Sequence, residues 1–252
     1  MEYIFLLMPA SAVLILSLLI IFLWLHRRKM DQLLIKLTDL RRRQDQIIKK
    51  MMSSEQEEAL AYIHHILGLG KGALPPTRGW AASPDFLLIV AEYILQNKPK
   101  KIVELGSGVS TLVITKALEK VGSGTLISID HDEVFQNITK ERLKRLGLEA
   151  EHIYAPLTQD EAADRWYDLP SIEGPIDLLI IDGPPEAISP QVRGHASRLF
   201  PLLSDGATVI LDDADRPGEK EVIARWIKDW PELQYTPIYT EKGTALLRKG
   251  SI

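Results

Sequence analysis

Residues 101–111 read Lys-Ile-Val-Glu-Leu-Gly-Ser-Gly-Val-Ser-Thr, and this stretch decides how the rest of the chain is read. An apolar run ends at Glu104 and Leu105, two glycines follow two apart, and Ser110 and Thr111 open a helical pattern. Gly106 and Gly108 allow a sharp turn and a close approach of backbone to a ligand, with Ser107 between them. Ser110 and Thr111 can cap the next helix or bond a ligand's polar end. A dinucleotide fingerprint would carry a third glycine, for close packing of helix on strand, where this chain has Thr111. Glu104 in addition aims a negative charge at the turn, which suits a cationic ligand better than a pyrophosphate.

Downstream the pattern alternates. Strand-like TLISID, EHIYAP, IDLLIIDG and ATVILDD are separated by helical stretches at 110–121, 134–146, 189–203 and 218–230. Two short apolar runs, 234–239 and 244–248, suit an antiparallel pair at the end. Nearly unbroken apolar strands between helices predict a doubly wound, mostly parallel, seven-stranded Rossmann-like α/β sheet covered on both faces. In such sheets ligands bind beyond the carboxyl ends of the strands, where the strand order reverses. The strand ends here are acidic: Glu104, then Asp130-His131-Asp132, then Asp182-Gly183-Pro184-Pro185, then Asp212-Asp213-Ala214-Asp215. One such carboxylate is commonly a helix cap or turn former. Four in succession favour a site, and Asp130 is well placed to accept hydrogen bonds from ribose hydroxyls.

Taken together, VELGSGVST, LISIDHD, IDLLIIDGPP and GATVILDDADRPGE, in this order and spacing, resemble the class I S-adenosylmethionine-dependent methyltransferases. The resemblance covers 83–250 and implies a cofactor, S-adenosylmethionine, cradled by Glu104, Gly106, Ser107, Gly108, Ser110 and Thr111, with Asp130 on the ribose and His131 flanking the adenine. Asp182, Asp212 and Asp213 further resemble the metal triad of catechol-type O-methyltransferases, which implies Mg²⁺ that lowers the pKa of an acceptor hydroxyl and orients it. Asp213 stands where that group has an amide, and Pro185 where it has a lysine base. Asp182, Asp212 and His195 are therefore the candidate catalytic residues, with a metal-free enzyme left open. Histidine is a residue type suited to proton transfer near neutral pH, and the plain alternative for His195 is a packed helix histidine. Trp80, Phe135 and Trp166 are candidate lid or stacking residues, although buried packing is the commoner role.

Ahead of this domain, expected over 68–252, the chain is of a different kind. Tyr3 to Leu25 carries no charge and as a helix reaches about 34 Å, enough for a bilayer core of about 30 Å. Arg27-Arg28-Lys29 follows, so an anchor over 1–28 is expected, single-pass, with the catalytic domain cytoplasmic. A cleaved signal peptide is the rival, but it would carry its positive charge before the apolar run. In the stalk, 29–67, Leu33, Leu37, Leu40, Gln44, Ile47 and Met51 alternate by four and three. That heptad seam suits a short coiled coil and a homodimer; the alternative is an amphipathic helix on its own domain or at the lipid surface. The chain has no cysteine, which excludes disulfides and thiolate chemistry, and a net charge of −4 gives no electrostatic case for nucleic acid.

The sequence therefore predicts a membrane-anchored methyltransferase acting on an oxygen of a small molecule or of a saccharide or lipid-linked precursor. Two alternatives remain at this stage: an NAD(P)-binding Rossmann oxidoreductase, and a non-catalytic membrane scaffold that retains a relic domain. The acceptor loops are expected at 71–83, 158–174 and 184–195.

Overall fold

The structure, a computed structural model, describes residues 10–77, 81–159 and 165–250. It divides into two compact units, Met1–Ser54 and Glu55–Ile252.

The first unit is one piece of helix, the start of α1 (Ala10–Leu67), which continues into the second unit. Ser53 and Ser54 are weak helix formers, but no glycine or proline interrupts the chain there, so the ladder runs through. The seam residues Leu33, Leu37, Leu40, Ile47 and Met51 are all exposed along it. Among the described residues no helix is long and apolar enough to cross a membrane. The helical part of the apolar run, from Ala10 to Leu25, reaches about 24 Å at 1.5 Å per residue. Residues 1–9 of the expected anchor lie outside the described residues. The expected membrane-spanning helix and coiled coil are thus without support in the structure.

The second unit begins with the last turns of α1, whose Ile63 and Leu67 pack against α2 (Pro84–Asn97). Pro84 opens α2, and the Ser83 hydroxyl before it bonds Asp85 and makes no side-chain cap. Asp85 is the more useful residue, since its carboxylate also accepts from Gln56 Nε2 and from the Glu241 N–H, tying three distant segments together.

Then comes the alternation: β1 (Lys101–Leu105), α3 (Val109–Val121), β2 (Thr125–Asp130), α4 (Glu133–Arg145), β3 (Glu151–Tyr154), β4 (Leu157–Gln159), β5 (Arg165–Tyr167), β6 (Ile176–Ile181), a 3-10 helix (Val192–Leu202), β7 (Leu203–Leu211), α5 (Pro217–Asp229), β8 (Leu233–Ile238) and β9 (Thr244–Lys249). Seven strands form one sheet in the order β3-β2-β1-β6-β7-β9-β8, parallel except where β9 meets β7 and β8. The predicted fold class is therefore what the chain adopts. Alternate strand residues bury on opposite faces: Val103 and Leu105 pack toward α5 and the 3-10 helix, Ile102 toward α2 and α3.

Two local expectations fail. The helix expected over 189–203 is a 3-10 helix with Pro201 inside it, where the ring removes a backbone donor. The long loop expected between β3 and β6 folds back on itself as an antiparallel hairpin, Leu157 opposite Tyr167 and Gln159 opposite Arg165. The order of strands reverses between β1 and β6, so the crevice for a ligand lies at their carboxyl ends.

Candidate active site

At that crevice the two halves of the sheet are stitched together by backbone. Gly106 has φ +99°, and a side-chain carbon there would meet Gly183 N at 2.8 Å. At Gly108, in contrast, a side-chain carbon would project into open space, so the turn presents bare backbone outward. Such a turn at a helix start suits a ligand's polar end.

The residues around the turn are occupied with one another. Glu104 is fully buried, and its Oε2 accepts from Thr111 Oγ1 at 2.6 Å and from Ser128 Oγ at 2.7 Å. Thr111 Oγ1 in turn accepts from the Gly108 N–H at 2.9 Å, capping α3. Desolvation raises the Glu104 pKa to about 7, opposed by hydroxyls including that of Ser110. Glu104 was expected to aim its charge at the ligand; its Oε2 braces the turn through Thr111, and its Oε1 has no partner. The thread of hydroxyls explains the missing third glycine, because Thr111 is needed there as the link.

Asp130 holds the same turn from the neighbouring strand. Its Oδ2 accepts from the Ser107 N–H at 2.7 Å and its Oδ1 from the Asp132 N–H at 2.8 Å. The Ser107 hydroxyl meets Ser128 Oγ at 2.7 Å. Each Asp130 oxygen keeps a further lone pair for a hydroxyl donor. His131 lies 3.3 Å from Asp130 through Nδ1, and its ring meets Tyr167 edge-on at 6.1 Å.

On the other half, Asp182, Asp212 and Asp213 come together as the sequence anticipated, with one carboxylate oxygen from each within 4.8 Å of the others. Their environments differ. Asp213, at φ +59°, is held by Arg193 Nη1 at 2.9 Å and Arg216 Nη2 at 3.0 Å, with Lys242 at 3.9 Å. Asp212 is fully buried and both carboxylate oxygens lack a partner; burial, then Asp182, push its pKa well up. Asp182 keeps 16% of its side chain exposed, and desolvation raises its pKa to about 6 against the pull of Arg193.

Arg193 was not anticipated. Its guanidinium, 3% exposed, donates to the main-chain oxygens of Asp182 at 2.8 Å, Pro184 at 3.2 Å and Asp212 at 3.1 Å, besides Asp213. It thereby fastens the ends of β6 and β7 to each other, and Glu219 stands 4.0 Å from its Nε. A lone arginine in a helical pattern carries no signal in sequence; only the four carboxylates that surround it hinted that a buried cation was needed.

His195 is half-buried on the 3-10 helix with its ring 5.7 Å from that of Trp166. Of the candidate aromatics, Trp166 is buried, Phe135 is 62% exposed, and Trp80 lies outside the described residues.

Comparison with known proteins agrees with the geometry. Residues 103–214 match the family described as Methyltransferase domain. A protein-L-isoaspartate O-methyltransferase of Shewanella pealeana is 29% identical over 139 residues, 52% of this chain, and the match spans only 59% of that relative's length. Among solved structures, a methyltransferase of Podospora anserina with bound S-adenosylhomocysteine superposes with a TM-score of 0.59 at 15% identity, covering 81% of this chain and 96% of that one. An O-methyltransferase of Bacillus cereus in complex with S-adenosylhomocysteine gives 0.52 at 18% identity, covering 76% and 91%. The family match sets the dinucleotide oxidoreductase reading aside. The glycine turn at the β1–β6 switch point, with Asp130 beside it, thus lies within the stretch that matches a methyltransferase domain, on a fold shared with solved methyltransferases.

Proposed function

We propose that the protein transfers a methyl group from S-adenosylmethionine to an oxygen of a small-molecule acceptor. The observation that carries this is the division of the crevice: bare backbone and Asp130 on the β1–β2 side, and on the β6–β7 side the partnerless Asp212 and Asp182 with its exposed edge.

The turn Gly106–Gly108 receives the amino-acid end of the cofactor, and the free lone pairs of Asp130 receive the ribose hydroxyls. Bound S-adenosylmethionine supplies an electrophilic methyl on a sulfonium. Asp182 is the one member of the acidic trio with an exposed edge, so it meets the acceptor. It would orient the acceptor hydroxyl and take its proton. Arg193 holds both strand ends in place during this step.

The donor set also fits a hard divalent cation, because Asp212 has two buried oxygens with no partner and two further carboxylates stand close by. Asp182, Asp212 and Asp213 would hold it, and it would polarise the acceptor oxygen. The pairing of Asp213 with two guanidiniums leaves it the weakest of the three ligands.

For the acceptor, a cavity of about 470 Å³ beside Tyr167 combines apolar Trp166, Leu199 and Leu202 with polar Asp168 and Arg198. That size takes a small organic molecule or a single saccharide unit of a larger precursor. Membrane attachment through the N-terminal helix, with the domain on the cytoplasmic side, is supported by the apolar run and the basic residues after it. Lys36, Arg43 and Lys50 flank one side of the exposed seam and Arg41 the other, so two copies in parallel would bring like charges together. Anionic lipid is accordingly the better partner for that face than a homodimer.

Isothermal titration with S-adenosylhomocysteine and with NADH tests the reading. Heat of binding from the first and none from the second is expected. NADH binding without any S-adenosylhomocysteine binding would overturn it, and titration with Mg²⁺ alone reports on the cation.

A further inference from the structure

The hairpin β4–β5 ends on Tyr167, a residue that no part of the reaction above employs. Its ring is packed between Trp166, 5.0 Å away and edge-on, and His131. The Asp168 N–H closes the hairpin onto the Pro156 carbonyl at 2.8 Å, which fixes where the tyrosine can stand. Its position is given by the glycines it covers. A side-chain carbon placed on Gly183 would stand 2.6 Å from the Tyr167 hydroxyl oxygen and 2.8 Å from Gly106 Cα. The hydroxyl therefore lies over the β1–β6 switch point, between the turn assigned to the cofactor and the strand end that carries Asp182.

Buried tyrosine hydroxyls ordinarily find a hydrogen-bond partner. This one is 3% exposed as a residue, and its oxygen has no partner. The charged groups that face it are Asp130, Asp182 and Glu104 on one side of the ledger of charge and Arg193 on the other, and burial pushes its pKa well above the ordinary tyrosine value. The hydroxyl stays protonated and keeps both oxygen lone pairs available. An oxygen so placed, in a setting rich in carboxylates, complements a cationic centre with polarised C–H bonds.

We propose that the Tyr167 hydroxyl oxygen touches the sulfonium end of bound S-adenosylmethionine and aims its methyl toward Asp182. This rests on the cofactor reading above. Tyr167 undergoes no bond change itself; it confines the methyl to the line along which the acceptor oxygen approaches. Because S-adenosylhomocysteine has neither the methyl nor the charge, the contact discriminates between the two ligands.

The test is calorimetric titration of wild type and Tyr167→Phe with S-adenosylmethionine and with S-adenosylhomocysteine. The phenylalanine ring keeps the packing on Trp166 and His131. The expected result is S-adenosylhomocysteine affinity within about twofold of wild type and a preference for S-adenosylmethionine reduced about fivefold, the size of one weak C–H···O contact. With methyl-¹³C-labelled cofactor, the bound methyl proton resonance is expected to move upfield in the variant. An unchanged ratio of the two affinities with an unmoved resonance would overturn the proposal while leaving the cofactor reading intact. So would Tyr167→Ala binding S-adenosylhomocysteine more tightly than wild type, since the ring would then be an obstacle in the cleft. Failure of wild type to bind either ligand would instead defeat the cofactor reading on which the proposal stands.

Discussion

The β1–β2 and β6–β7 halves of the crevice use the same residue types to different ends. On the first, both Asp130 oxygens are spent on the Ser107 and Asp132 N–H groups and one Glu104 oxygen on the Thr111 and Ser128 hydroxyls, so these carboxylates shape the turn. On the second, the Asp212 oxygens have no hydrogen-bond partner and Asp182 keeps an exposed edge, while Asp213 is held by two guanidiniums. A carboxylate bonded to main-chain N–H groups makes a mould, and a carboxylate left short of partners is poised for chemistry. The position at a strand end does not distinguish the two; the neighbours on the next strand do.

The largest effect that would break this contrast comes from Arg193, the residue that keeps the reactive half assembled. Arg193→Met removes the cation from among Asp182, Asp213 and Glu219, all of which face it. Urea denaturation should show a loss of about 3–5 kcal/mol, the usual cost of stranding buried charge. Asp182→Asn sharpens the contrast from the other side. Turnover should fall about 10²–10³-fold at saturating cofactor, as expected for removal of a group acting in proton transfer, with the folded state retained.

Glu104 gives a smaller effect that is read as pH dependence. Its folded pKa, about 7, lies above the ordinary glutamate value of 4.5. Between those values the unfolded chain releases a proton that the folded one keeps, so stability falls as pH rises from about 4.5 and levels off above about 7. The loss is about 3 kcal/mol at most. Glu104→Gln should flatten that slope in denaturation curves recorded from pH 5 to 8, and a slope equal to wild type would mean that the carboxyl ionises freely in the fold.

Much of this was legible before the structure. The alternation of apolar strands and helices gave the sheet, because strands buried on both faces read as unbroken apolar runs. The acidic strand ends gave Asp130, Asp182, Asp212 and Asp213, since in such a sheet those ends define the crevice. The hairpin was invisible because Leu157–Gln159 and Arg165–Tyr167 are too short for a period of two to show. Tyr167 was lost with it. Arg193 looked like any helix arginine, and its role depends on carbonyls from two other segments that sequence does not bring together. The bond from Ser128 to Glu104 could not be read either, because it comes from the adjoining strand.

The division of labour in the crevice is tested most directly by the equilibrium affinity for S-adenosylhomocysteine of Asp130→Ala set beside that of Asp182→Asn. The expected result is a loss of about 10–100-fold for Asp130→Ala, which removes hydrogen bonds to a charged group, and an affinity within about threefold of wild type for Asp182→Asn. Equal losses in the two variants, or a larger loss in Asp182→Asn, would contradict the assignment of the cofactor to the β1–β2 half and of the chemistry to the β6–β7 half.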